Sequence, residues 1–302
     1  MKDINKFIDR FTAPLQTFIR YPLSVFPDDI YLILKYYSKT GRKLNLKNPV
    51  LFDEKLQWLK LYDRQLEYTN LADKYEVRKF VAQTIGEEYL IPNYGVWDNF
   101  DEIPFDTLPD KFVLKCTHDS GSVVICKNKS SFDMYKTGSY FKKRLSQNFY
   151  WHRREWVYKN IKPRIIAEKL MVDESQTELK DYKIYCFDGE PKIIEVIFNR
   201  FTQNPKENFY SPQWEYQPLA TGDYETDPNT VIQKPKRLEQ MLDLARKLSA
   251  GKIHLRVDFY VINDKIYFGE LTFYNAAGNT GFNPPQWDKI FGDWMVLPIK
   301  FS

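Results

Sequence analysis

Ile4, Phe7, Ile8, Phe11, Leu15, Phe18 and Ile19 recur at helical spacing near the start of the chain, with Lys2, Lys6, Arg10 and Arg20 between them. The pattern predicts an amphipathic helix that Pro14 breaks or kinks. Its apolar side has two uses: packing on the protein's own core, or lodging on an anionic membrane surface. Further helices are predicted over 53–66, with Asp53 as its cap, and over 71–85, where Leu71, Tyr75, Phe80 and Val81 mark an apolar side. From residue 91 the pattern becomes that of strands: IPNYGVW from 91, KFVLKC from 111, SVVICK from 122, RIIAEKLM from 164, DYKIYCF from 181, KIIEVIF from 192, and a hairpin over 256–273. Asp188 and Gly189 between two of these runs are a hairpin turn signal. Helical stretches near 131–146 and 235–250 interrupt the strands, and Gly251 suits the end of the second. The grouping predicts an α+β protein with a helical N-terminal segment over 1–70, a small α+β lobe over 71–165 and a larger one over 166–302.

The hairpin, RVDFYVINDKIYFGELTF, places Asp258 and Glu270 among strand-forming residues. A two-residue turn at Asn263 and Asp264 pairs Asp258 with Gly269 and sends Glu270 to the other face. A three-residue turn through Lys265 pairs Ile262 with Ile266, setting Asp258 opposite Glu270 and Arg256 opposite Thr272. Like charges roughly 5 Å apart across a strand pair are destabilising, and a divalent cation removes that penalty. The three-residue turn is therefore the expectation.

Composition narrows the partners. A chain of 302 residues is long enough to enclose a cleft. Its 44 basic and 40 acidic residues leave a net charge of +4, spread along the chain, which argues against nucleic acid and suits a phosphorylated or carboxylated small molecule. Cys116, Cys126 and Cys186 are odd in number and lack C-x-x-C spacing, and His118, His152 and His254 lack metal-ligand spacing. Reduced thiols, no cleavable signal pattern and no run of 18 apolar residues predict a cytoplasmic protein, at the inner face of the membrane if the first helix docks there.

FVLKCTHDSGSVVIC, 112–126, reads as a strand, a short polar loop with Gly121, and a second strand. Lys115 alternates to the face opposite Phe112, Leu114 and Cys116. The loop, with Thr117, Ser120 and Ser122, is suited to cradle phosphate oxygens, or is an ordinary turn. No P-loop and no G-x-G-x-x-G is present. Glu168 and Lys169 sit in the apolar strand IIAEKLM, and Asp181 with Lys183 opens the next; such charges need partners when buried.

Taken in order, ADKYEVRKFVAQTIGEEYLIPNYGV at 72, FVLKC with its loop, IIAEKLM, DYKIYCFDGEP and LRVDFYVINDKIYFGELTF resemble the ATP-grasp ligases. More closely, roughly residues 50–298 resemble the TupA-like ATP-grasp family of polysaccharide and teichuronopeptide gene clusters. The resemblance implies two α+β lobes with ATP and Mg2+ between them. It implies that Lys115 holds ATP phosphates, and that the loop with His118, Ser120, Gly121 and Ser122 closes over them. Glu168, Lys169 and Leu170 become the hinge that meets adenine and ribose, and Lys183, two after the nucleotide-site residue Asp181, stands where relatives place an arginine for phosphate or acyl phosphate. Arg256 is the cation beside the metal acids Asp258 and Glu270, and Arg200 is a further substrate contact. Many relatives have E-x-N where this chain has Glu270, Leu271 and Thr272, so the nearest amide, Asn275, is the candidate third metal ligand.

The implied activity is an ADP-forming carboxylate–amine ligase. It would join a uronic-acid-containing saccharide, free, nucleotide-linked or lipid-linked, to a small amine or amino acid in capsule or cell-surface polysaccharide synthesis. Magnesium and the cations Lys115, Lys183 and Arg256 would neutralise ATP so that an anionic carboxylate can approach. The rivals are a glycosyltransferase, although the chain has no D-x-D, a kinase on the same fold, and a non-catalytic nucleotide- or glycan-binding module.

Overall fold

The computed structural model describes residues 26–172, 180–199, 202, 204–222 and 224–298. The expected amphipathic helix near the start of the chain and Arg200 lie outside the described residues.

The helices are α1 (Asp28–Thr40), α2 (Phe52–Tyr62), α3 (Glu67–Ala72), α4 (Val77–Thr84), α5 (Met134–Leu145), α6 (Tyr150–Arg153), α7 (Leu238–Ser249) and α8 (Gln286–Trp294). The strands are β1 (Asn93–Trp97), β2 (Phe112–Cys116), β3 (Val123–Cys126), β4 (Ile165–Lys169), β5 (Asp181–Phe187), β6 (Glu190–Phe198), β7 (Lys206–Tyr210), β8 (Tyr216–Gln217), β9 (Glu225–Thr226), β10 (His254–Ile262) and β11 (Lys265–Thr272). They form two sheets. The smaller is antiparallel, in the order β1-β4-β2-β3; the larger runs β11-β10-β5-β6-β7-β8, with β9 parallel to β7.

Each sheet covers one face with its own core. Phe112, Leu114, Cys116, Ile165 and Ala167 pack with Phe141 of α5 and Phe100. Ile184, Cys186, Ile194, Leu255 and Val257 pack with Met241, Ala245 and Leu248 of α7 in a larger core. The opposite faces carry the polar residues of the site. The expected lobe boundary after residue 165 falls inside β4, which pairs with β1 through Glu168 and with β2 through Lys169. We place the junction after that residue.

Local chemistry moves several element ends. Asp53 does not cap α2: Glu54 accepts from Val50 N at 3.0 Å and Leu51 N at 3.1 Å, while Asp53 binds Thr280 N and Oγ1. The expected helix over 71–85 is broken, because the carboxylate of Asp73 accepts from Tyr75 N at 2.7 Å and restarts the chain as α4. α8 lies close on α2, where a Cβ at Gly292 would stand 2.2 Å from Val50 O. Lys55 of α2 donates to Gly292 O and Met295 O at 2.8 and 2.7 Å.

Candidate active site

The acids of the hairpin face each other, by a different route from the one expected. The turn has two residues, Asn263 and Asp264, with φ of 50° and 58°, and Ile262 pairs with Lys265. Pairing runs regularly to Phe259 and Phe268, then a bulge between Asp258 and Phe259 absorbs Gly269. The extra residue shifts alternation by one, so Asp258 pairs with Glu270 and Arg256 with Thr272. Glycine suits the bulge, since a Cβ there would stand 3.0 Å from Asp258 O.

The cation meeting these acids is Arg256. Its Nε and Nη2 donate to the two oxygens of Asp258 at 2.8 and 2.7 Å, Nη2 reaches Glu270 Oε1 at 3.2 Å, and Nη1 reaches Asn275 Oδ1 at 2.6 Å. This fork satisfies a buried arginine and offsets the like-charge pair without an ion. Burial opposes the charge, but Asp258, Tyr185 and Glu195 hold the guanidinium protonated well above its ordinary range. Glu270, whose side chain is 48% exposed, is desolvated only in part, which would raise it; Arg256, Lys74, Lys183 and Lys115 outweigh that and hold the acid below its ordinary value. The row continues across the sheet, with Asp258 paired to Lys183 and Lys183 to Glu195. Lys183 Nζ donates to Glu195 at 2.9 Å, and Tyr185 donates to the other oxygen of Glu195 at 2.6 Å.

Asn275 is brought there by a strained turn. Ala276, Ala277 and Gly278 have φ of 46°, 55° and 69°, a region unfavourable for alanine. Gln57 holds Ala277 O and Gly278 O at 3.1 and 2.7 Å, and Lys60 holds Ala277 O at 2.7 Å. Two side chains of α2 thus stabilise a turn more than 200 residues away in sequence.

On the smaller sheet, Lys115 projects from the polar face as expected and donates to Glu168 at 2.7 Å; Arg78 approaches the same carboxylate at 3.5 Å. Glu168 therefore neutralises Lys115, and Lys169 N pairs with Pro92 O at 2.9 Å. Leu170 follows the end of β4, and Asp181 is buried at the start of β5. In the loop after β2, His118 and Ser122 are buried, whereas Ser120 and Gly121 are exposed, with φ of 85° at Gly121. His118 Nε2 lies 3.2 Å from Arg144 O. Asp119 anchors the loop: it accepts from Ser122 Oγ and from Arg144 Nε at 2.8 Å, while its carbonyl accepts from Lys74. Asp119 stands in the sequence pattern only as one residue of the loop from His118 to Ser122, and Arg144 and Lys74 carry no signal there. Only the D-S-G turn chemistry hinted at the first.

A cleft of about 1350 Å³ separates the two arrays; Asp119, Ser120 and Arg144 lie on one side and Lys183, Arg256 and Glu270 on the other. Asp258, Glu270 and Asn275 are hard oxygen donors suited to magnesium. Among the described residues no cluster of three or more His, Cys, Asp or Glu is preformed for a metal. These oxygens converge on the guanidinium of Arg256, so a magnesium ion bound here would share them with that arginine.

Two sheet-based lobes, a lysine with a glycine-containing loop on one and an acid–arginine hairpin on the other, define the ATP-grasp class. Residues 54–296 match the model of the TupA-like ATP-grasp family, and the chain belongs to that family. Enzymes of this class are ADP-forming ligases, and ATP and magnesium are typical of the fold. No curated protein matches the chain in sequence. Among solved structures it is similar to D-alanine–D-alanine ligase from Bacillus anthracis, at 17% identity over 67% of this chain and 57% of that one, with a TM-score of 0.38. It is also similar to D-alanine–D-alanine ligase from Helicobacter pylori, at 14% identity, 82% and 69% coverage and a TM-score of 0.40. For L-amino acid ligase from Bacillus licheniformis the values are 12%, 85%, 57% and 0.46. The chain spans between 57% and 69% of the length of these three structures. The likeness is one of fold alone.

Proposed function

We propose that the protein is an ATP-dependent carboxylate–amine ligase acting on a uronic-acid-type saccharide in cell-surface polysaccharide synthesis. The observation that carries this reading is the Arg256 cluster facing the loop after β2 across one cleft. Lys115, Lys183 and Arg256 meet the phosphates, with Lys74 beside the loop and the exposed Ser120 and Gly121 at its tip. Leu170 and the backbone beyond β4 receive adenine. Asp258 and Glu270, with Asn275, hold magnesium, which supplies further neutralisation of the phosphate charge. The cationic face orients the substrate carboxylate in line with the γ-phosphate. Its oxygen bonds to phosphorus as the bond to ADP breaks, leaving an acyl phosphate; an amine then displaces phosphate to form an amide. Support for a sugar comes from Phe149, Trp151, Tyr158 and Tyr274 on the cleft wall, since aromatic faces pack well on pyranose rings.

The test is ADP formation with a panel of uronic acids and amines, with hydroxylamine added as a trap and product mass measured. The expected result is uronic-acid-dependent ADP release and a hydroxamate. A stable phosphosugar without hydroxamate would make the protein a kinase, and UDP-sugar hydrolysis without ATP would make it a glycosyltransferase. Among the described residues no helix is long and apolar enough to cross a membrane.

A further inference from the structure

One acid on the cleft wall has no part in the phosphate chemistry. Glu155 follows α6 and lines the cleft with Lys60, Arg153, Tyr158 and Glu270. It is 7% exposed, yet its carboxylate makes no hydrogen bond or ion pair among the described residues. The neighbouring buried lysine does not satisfy it. Lys60 commits its three N–H donors to Gln57 Oε1 at 3.1 Å, Arg153 O at 3.2 Å and Ala277 O at 2.7 Å. Burial pushes Glu155 up, opposed by the charges of Lys60 and Arg153 and reinforced by Glu270; burial pushes Lys60 down to about 8. Its oxygens are not among the described atoms cut off from solvent without a partner; the carboxylate keeps a face to the cleft, where so poorly solvated a charge gains from a donor. Among the described residues no helix cap or ion pair accounts for this one. It is an acceptor held open to the cleft.

We propose, resting on the ligase reading, that Glu155 receives the incoming amine. The ammonium group donates to the carboxylate, which takes one proton and frees the nitrogen lone pair. That pair forms the C–N bond at the acyl carbon as the C–O bond to phosphate breaks. The second surplus proton leaves with phosphate, so one amide and one phosphate result. The acid thus selects a charged amine by complementarity and makes it a nucleophile.

Two small nucleophiles of different charge test the assignment: ammonium chloride, cationic at pH 7, and hydroxylamine, uncharged at that pH. Each is offered with ATP, magnesium and D-glucuronate to the wild type and to Glu155→Gln, with melting measured alongside. The wild type should give both the primary amide and the hydroxamate. Glu155→Gln should keep hydroxamate formation within about twofold and lose amide formation by about 100-fold or more. Equal loss of both products, an unchanged amide rate in the variant, or a wild type that makes hydroxamate but no amide would overturn the role of Glu155. A wild type that forms neither ADP nor hydroxamate would instead remove the ligase reading, and the amine site with it.

Discussion

Lys115 can be removed with little structural cost. Its side chain is 23% exposed, and its partner Glu168 retains Arg78. Lys115→Ala should therefore lower stability by about 1 kcal/mol or less, while weakening ATP binding roughly 10- to 100-fold through loss of a phosphate contact. Calorimetric titration with a non-hydrolysable ATP analogue checks this; unchanged affinity in a normally melting variant would count against the lysine. Arg256 is the opposite case. Arg256→Lys keeps the charge but replaces a fork spanning Asp258, Glu270 and Asn275 with one ammonium. The expected result is a stability loss of about 1–3 kcal/mol from buried acceptors left short of donors. ADP formation should fall about 100-fold.

At the scale of elements, α2 and the turn at 276–278 act together. Asp53 is buried beside Asp288, and burial followed by that second carboxylate raises its pKa to about 7. Between its ordinary value near 4 and about 7, the folded state binds the proton that the unfolded chain has released. Stability should thus fall as pH rises through this window, by at most about 1.4 kcal/mol per unit, and level off above it. Asp53→Asn should flatten that slope in denaturant titrations at several pH values; a slope that persists would assign it to another group. In the turn, Ala276 has a φ of 46°. Ala276→Gly relieves the strain and should raise stability by about 0.5–1 kcal/mol, read as a higher melting temperature. β7 shows why some elements escape a pattern search. Its buried residues Glu207 and Asn208 are polar, and Thr221 and Asp227 satisfy them from outside the strand. α1 escapes for the converse reason: Ile30, Ile33, Leu34 and Tyr37 are exposed, so its apolar residues mark no single buried stripe.

For the molecule as a whole, the cleft sets a field. Lys39, Arg144, Arg153, Lys183 and Arg256 face it against fewer acids. Anionic substrates should be drawn in, and the attraction should be screened. Raising salt from about 0.01 to about 0.1 M shortens the screening length from about 30 to about 10 Å, so KM for ATP and for the uronic acid should rise several-fold. KM for hydroxylamine should hardly change. Steady-state kinetics at matched pH decide this, and equal shifts for charged and neutral substrates would remove the steering argument.

The sequence by itself determined the α+β class, the strands that carry the site and, for β2, β5 and β10, the face on which their polar residues stand. Alternation along a strand depends only on which face is buried, and Lys115, Lys183, Arg256 and Asp258 all alternate against apolar neighbours. Tertiary structure alone decided who meets whom. A bulge at Gly269, invisible to a count of turn residues, brought Glu270 round to Asp258. Gln57 and Lys60 hold the strained turn that delivers Asn275 to Arg256. Asp119 was drawn into its loop by Arg144 and Lys74, which leaves only Ser120 and Gly121 at the tip. The reason is physical: hydrophobic burial is repeated along the chain and can be read locally. A buried polar group is satisfied by one particular donor or acceptor, and the fold is free to supply it from any distance in sequence.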